Sequence, residues 1–243
     1  MSQSTLPKAI LSASVAAGAV GALAWFACRP DSQLLGRTLV AGQSPCEIAL
    51  TYDDGPNDRS TLPLLEVLDR HGVRATFFMI GQFVRQRPEL ARQVHRAGHL
   101  IGNHTMTHPF LATRPLQLVE DELRRCNEAL EDTLGAPVRY FRAPYGARRP
   151  AVLRCARELG LTPVQWNITA KDWEPIGSHG ILRNVEKGIA SLRLKSRGAN
   201  ILLHDGFNEQ MGYDRSDTVR ATDLLLTKAR GSGTHFVTVD AWN

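Results

Sequence analysis

The chain has 243 residues, of which 43% are hydrophobic, 22% charged and 7% aromatic, so it holds one domain or one domain with an appendage. That apolar fraction excludes extensive disorder, and 20 glycines with 13 prolines suit alternating strands and helices better than a helical bundle or coiled coil. The formal charge of +5 is spread along the chain with no block of about five or six consecutive basic residues, so no nucleic-acid partner is expected.

From Ala9 to Cys28 the chain runs 20 residues without a charge, between Lys8 and Arg29. At about 1.5 Å per residue this matches a hydrocarbon layer of ~30 Å, so the segment reads as a transmembrane anchor. It reads equally as a secretory signal, with Lys8 in the n-region and Ala22-Leu23-Ala24 at the cleavage site. Lipidation at Cys28 fits less well, because Trp25-Phe26-Ala27 places bulky rings where small residues are usual. Residues 1–29 are therefore expected as a signal peptide or N-terminal membrane anchor, with any attachment through 9–28. The protein is then extracytoplasmic, secreted or held in a bacterial periplasm or cell envelope. Residues 30–45, with Pro30, Gly36, Gly42 and Pro45, read as a linker, and 46–243 as the folded domain, expected to be monomeric.

Within that domain short β-rich runs alternate with helical patterns. Ile48-Ala49-Leu50-Thr51-Tyr52 is the first strand, ending at Asp53-Asp54-Gly55-Pro56. A helix with Leu62, Leu65, Val67 and Leu68 on one side stops at Gly72, and strand 75–80 closes at Gly81. Helix 88–97, strand 99–103, helix 115–134 and strand 138–142 follow. Helix 149–159, strand 163–168, helix 180–193, strand 201–204, helix 217–230 and strand 235–239 complete the series. Strands alternating with helices imply βαβ units and a parallel sheet. Seven strands suffice for an incomplete, deformed (β/α)7 barrel of the α/β class; a flat doubly wound sheet is disfavoured because no GxGxxG turn follows the first strand. Cys28, Cys46, Cys126 and Cys155 are far apart and form no CxxC pair, which excludes a zinc ribbon, a redox motif or a disulfide scaffold but leaves one disulfide open.

In parallel barrels reactive groups gather at the C-terminal ends of strands. Here Asp53 and Asp54 end the first strand, His104 the third, Arg142 the fourth and His204 the sixth, while Asp172 lies just past the fifth. Each alone has a bland reading: Asp-Asp-Gly-Pro suits a turn, and a lone HxxxH is more often structural. Together, one Asp with His104 and His108 makes the facial set found in zinc hydrolases and non-haem iron oxygenases. Hydrolysis is favoured because a second carboxylate and a further histidine remain as base and acid.

Thr51-Tyr52-Asp53-Asp54-Gly55-Pro56, His104-Thr105-Met106-Thr107-His108, Arg142-Ala143-Pro144-Tyr145-Gly146, Asp172-Trp173 and Leu202-Leu203-His204 occur in that order. In this the chain resembles the polysaccharide deacetylases with a NodB homology domain, carbohydrate esterase family 4, and chitooligosaccharide deacetylases above all. The resemblance covers residues 47 to 240 and makes 46–243 a catalytic domain. It implies that Asp54, His104 and His108 hold a metal, Zn²⁺ or another divalent ion such as Co²⁺. It implies Asp53 as general base steadied by Arg142, His204 as general acid kept charged by Asp172, and the Tyr145 N–H as oxyanion donor. Trp173 and Leu202 would line the acetyl pocket. The implied substrate is an N-acetylglucosamine-containing glycan, chitooligosaccharide or peptidoglycan. An O-acetyl esterase on the same scaffold and a non-catalytic glycan-binding relative are the alternatives. Thr169 departs from the family, which often has Asp there.

Overall fold

The computed structural model describes residues 29–243; the uncharged segment 9–28 and the Ala22-Leu23-Ala24 motif lie outside the described residues. In chain order the domain comprises β1 (Glu47–Gly55), α1 (Thr61–Arg70), β2 (Thr76–Met79), α2 (Gly81–Gln86), α3 (Pro88–Arg96), β3 (Leu100–Asn103), α4 (Leu116–Leu134) and β4 (Tyr140–Phe141). It continues with α5 (Pro150–Glu158), β5 (Thr162–Pro163), β6 (Ile168–Thr169), α6 (Gly177–Arg193), β7 (Ala199–His204), α7 (Ser216–Ala229) and β8 (His235–Val237). All strand pairs are parallel, in the order β5-β4-β3-β2-β1-β7-β6.

The alternation along β1 sets the layers. Ile48, Leu50 and Tyr52 turn outward into the main core under the helices, whereas Ala49 packs with Phe78, Tyr140 and Val164 inside the curl. The hydroxyls of Tyr52 and Thr222 of α7 share a hydrogen bond at 2.9 Å, which satisfies the one polar atom of that buried ring. At β3, a Cβ on Gly102 would lie 2.6 Å from the Phe78 ring and 3.1 Å from the Tyr140 carbonyl, so glycine is what lets β2, β3 and β4 curl together.

The run 163–168, which reads as a single strand, is two strands of two residues on opposite edges of the sheet. Pro163 has no N–H to donate and Asn167 is a poor strand former, so the ladder breaks between them. β5 pairs with β4 and β6 with β7, so residues 164–167 close the curl through the chain itself. Side-chain amides take over where the ladder fails. Asn200 Nδ2 donates to the Gln165 carbonyl at 2.8 Å, and Asn200 N–H donates to Asn167 Oδ1 at 2.8 Å. Leu39, within the stretch that reads as a linker, bridges to Val164: its N–H donates to Pro163 at 2.9 Å and its carbonyl accepts from Gln165 at 2.8 Å.

Other elements differ from the sequence reading as well, the strand expected at 138–142 being only Tyr140–Phe141. Strand 235–239 is only His235–Val237 and pairs with Glu47–Ala49, so it shares one edge of β1 with β2 instead of adding a full stave. Gly81, which reads as a strand end, begins α2; a Cβ there would lie 2.7 Å from Met106 Sδ and 3.0 Å from the Cys126 Cα. Among the described residues Cys46, Cys126 and Cys155 are free, and no helix is long and apolar enough to cross a membrane.

Candidate active site

Adjacent residues of a regular strand point to opposite faces, yet Asp53 and Asp54 serve one site. The β1–β2 register shifts between Asp53 and Gly55, and Asp54 takes a left-handed φ of 70°. This turns both carboxylates toward His104, whose Nε2 lies 3.7 Å from Asp53 Oδ2 and 3.4 Å from Asp54 Oδ1. His108 Nε2 stands 3.2 Å from the same Asp54 oxygen.

His104 and His108 sit on a loop after β3 that α4 braces. Thr107 donates through its N–H and its hydroxyl to the buried Glu122 carboxylate at 2.8 and 2.7 Å, and Met106 N–H donates to the Glu122 carbonyl at 3.1 Å. Thr105 N–H donates to Asn103 Oδ1 at 2.8 Å, and the Thr105 hydroxyl accepts the His108 N–H at 3.0 Å. Thr105 and His108 are both left-handed, with φ of 69° and 62°.

The protonation pattern follows from the partners. His104 Nδ1–H donates to the Arg142 carbonyl at 2.8 Å, so Nε2 is the ring nitrogen turned to Asp54. Burial pushes the His108 imidazole down against the pull of Asp54, favouring its neutral form. Burial alone would raise the Asp54 carboxyl, but the two imidazoles and the charge of His204 hold it well below the usual carboxylate range. Asp54 Oδ1 is buried without a hydrogen-bond partner among the described residues. Potential ligand atoms, one each from Asp54, His104 and His108, thus converge, all within 4.8 Å of one another. One carboxylate with two imidazoles is a ligand set suited to a divalent transition metal.

Arg142 is fully buried between the faces of Phe78 and Trp166, its Cζ 4.2 and 5.5 Å from the two ring centroids. Its Nη1 donates to Asp53 Oδ1 and Thr51 Oγ1, each at 2.8 Å. Burial lowers the guanidinium against the opposing pull of Asp53. This contact holds one Asp53 oxygen and leaves Oδ2 turned to the site.

Asp53 and His204 are register partners across β1 and β7. His204 N–H donates to Asp172 Oδ2 at 2.7 Å, His204 Nδ1 meets Asp172 Oδ1 at 2.8 Å, and the Thr218 hydroxyl donates to Oδ2 at 2.9 Å. Burial alone would lower the His204 imidazole, but Asp172, with help from Asp54 and Asp53, pushes it up to about 9. The Trp173 ring stands edge-on to His204 at 5.5 Å. Thr169 lies apart from this pair; it is exposed and accepts the Trp166 indole N–H at 2.9 Å.

A cavity of about 430 Å³ opens over these groups. Asp53, Asp54, His104, His108, Tyr145, Trp173, Leu202 and His204 line it; Arg142 and Asp172 stand behind it, holding Asp53 and His204. Tyr145 is left-handed with φ of 58°, its ring edge-on to His108 at 4.7 Å and its hydroxyl accepting from Asn208 at 3.2 Å. Trp166, Phe207, Asn208 and Arg215 also line the cavity and were not singled out by sequence. Trp166 lay inside what reads as a strand, and the other three in a loop without periodicity. Their only signal was nearness to Asp172 and His204 in the chain.

A family model described as polysaccharide deacetylase matches residues 42–164. A chitooligosaccharide deacetylase of Azorhizobium caulinodans is 37% identical over 174 residues, covering 71% of this chain and 80% of that one. A solved peptidoglycan N-acetylglucosamine deacetylase, in complex with 4-naphthalen-1-yl-N-oxidanyl-benzamide, superposes with a TM-score of 0.74 at 29% identity, covering 84% of this chain and 91% of that one. A wild-type pseudoenzyme of carbohydrate esterase family 4 from Bacillus anthracis superposes with a TM-score of 0.72 at 26% identity, covering 81% and 65% of the two chains.

Proposed function

The chain belongs to the polysaccharide deacetylase family and is an enzyme of it; from that premise we propose that it removes N-acetyl groups from N-acetylglucosamine residues of chitooligosaccharide or peptidoglycan by metal-dependent hydrolysis. The observation that carries the reading is the convergence of Asp54, His104 and His108 as three buried potential metal ligands beside a tethered carboxylate and a charged imidazole. Because one structural relative is a pseudoenzyme, the fold by itself does not carry activity. The complete set of base, acid and ligands favours catalysis over glycan binding alone.

Asp54, His104 and His108 would hold the metal, which when bound supplies Lewis acidity: it lowers the pKa of water and polarises the acetamide carbonyl. Asp53, with one oxygen pinned by Arg142, presents the other to the proton of the attacking water. The Tyr145 N–H would meet the carbonyl oxygen as it gains charge; losing one such donor costs about 3–4 kcal/mol in comparable sites. His204, charged at neutral pH and aligned by Asp172, gives its proton to the departing nitrogen. Leu202 and Trp173 would enclose the acetyl methyl. An amine leaves only when protonated, so this acid favours an N-acetyl over an O-acetyl substrate. The uncharged segment 9–28 supports a site of action outside the cytoplasm, on a secreted or envelope-anchored enzyme.

The test is acetate release from chitooligomers, peptidoglycan and acetylated xylan in parallel, with and without chelator. Release from the first two, abolished by chelation and restored by Zn²⁺ or Co²⁺, is the expected result. Full activity in excess chelator would overturn the metal assignment, and release from xylan alone would overturn the substrate.

A further inference from the structure

Arg215 is 5% exposed and lines the active-site cavity, yet it forms no ion pair with any carboxylate among the described residues. Its charge lies near enough to Asp172 to help hold that carboxyl below the usual range, but its hydrogen bonds go to backbone carbonyls. Nε donates to the Gly206 carbonyl at 2.8 Å, and Nη1 donates to the Asp172 carbonyl at 3.2 Å. Its own N–H donates to the Ser60 hydroxyl at 2.9 Å, on the loop that follows Asp53 and Asp54. The guanidinium lies over the Tyr213 ring, Cζ at 4.8 Å from the centroid, and that ring packs on Phe207 at 4.8 Å. Three catalytic loops therefore meet at one residue: its side chain joins those after β6 and β7, and its main-chain N–H reaches the one after β1.

We infer that Arg215 is the positioning residue of the acid side of the site, fixing the peptide at Asp172 and two residues past His204 so that the Asp172–His204 pair keeps its aim at the leaving nitrogen. The inference rests on the reading of His204 as general acid. Asp172 already has three partners on its carboxylate, two from His204 and one from Thr218. Those bonds fix the carboxylate relative to His204 but leave the pair free to shift together, and the backbone anchors supplied by Arg215 remove that freedom. A shift of about 1 Å in a reacting group costs on the order of 10²-fold in rate.

The experiment compares an acetamide substrate, a chitooligosaccharide, with an aryl acetate whose phenolate leaves without protonation. Wild type, Arg215→Gln, Arg215→Lys and His204→Gln are assayed on both, with metal content measured in each. Arg215→Gln is expected to lose about 10²-fold in kcat on the acetamide, at least tenfold more than on the aryl acetate, with little change in KM. Arg215→Lys, which keeps the charge but not the fork, should fall between it and wild type and serves by the same criterion if the Gln variant does not fold. Equal losses on the two substrates, or no loss on the acetamide, would overturn the role of Arg215. If His204→Gln itself loses equally on both, the acid assignment falls, and the role of Arg215 with it.

Discussion

Asp54, His108 and Tyr145 are all held with positive φ. For residues with a Cβ this costs on the order of 1–3 kcal/mol each and persists only where surroundings over-determine it. Here the surroundings are visible: Thr105 and Glu122 brace the histidine loop, and the β1–β2 shift frees Asp54. The charge state of His204 makes a further prediction. The acid works protonated, and its pKa is raised from 6.5 to about 9, so the active form persists through neutrality and is lost as pH rises through about 9. A cation at Asp54 would offset that carboxylate's share of the rise but not the share of Asp172. Asp172→Asn removes the largest raising influence, so the alkaline limb of kcat should move down toward 6.5, measured as a pH–rate profile on a chitooligosaccharide. An unmoved limb would mean that another group sets it.

β3 links the packing of the sheet to the base. Gly102 lies against the edge of the Phe78 ring, and the face of that ring carries the Arg142 guanidinium that tethers Asp53. Gly102→Ala would press its methyl into the ring at 2.6 Å with the Tyr140 carbonyl at 3.1 Å behind it. Overpacking of this kind costs about 1–3 kcal/mol. The urea midpoint should fall accordingly, and kcat should fall in the folded fraction because displacing Phe78 disturbs the Arg142 guanidinium that stacks on it. A variant of wild-type stability and turnover would show that the ring has room to shift. α4 plays a matching part for the metal ligands: its Glu122 is the buried end of a brace that reaches the loop 104–108 through Thr107.

Taken together, the sheet is a curl whose edges are joined by residues 164–167 and by the amides of Asn167 and Asn200. Asn200 also accepts from Thr51 at 3.2 Å and from Arg142 Nη2 at 3.4 Å, so the seam of the fold and the tether of the base share one side chain. Asn200→Ala should therefore destabilise by about 1–3 kcal/mol, the usual consequence of stranding buried polar partners, and should lower turnover in the folded enzyme. Thermal melting and kcat on one preparation test both parts; a loss of stability with normal turnover would separate the seam from the site. Arg215 ties the opposite side, where the loops after β1, β6 and β7 meet.

The local pattern of the chain already determined the α/β class and the parallel strands, and it picked out Asp53, Asp54, His104, His108, Arg142, Asp172 and His204; Tyr145, Trp173 and Leu202 were proposed only from the resemblance to a family. Strands and helices follow from periodicity, and a parallel sheet places strand ends on one rim, so Asp53, His104, Arg142 and His204 could be grouped before any coordinates. Tertiary structure decided what depends on contacts between distant segments. Whether 163–168 formed one strand or two turned on neighbours at both edges of a nearly closed sheet, and whether β8 was a full stave turned on how much of β1 was left to pair. The same holds for Trp166, Phe207, Asn208 and Arg215. Trp166 lies in a run that reads as one strand and the other three in a segment with no periodic signal, and what gives them meaning is the set of carbonyls, rings and hydroxyls that folding brings within about 3 to 5 Å, the range of hydrogen bonds and ring contacts.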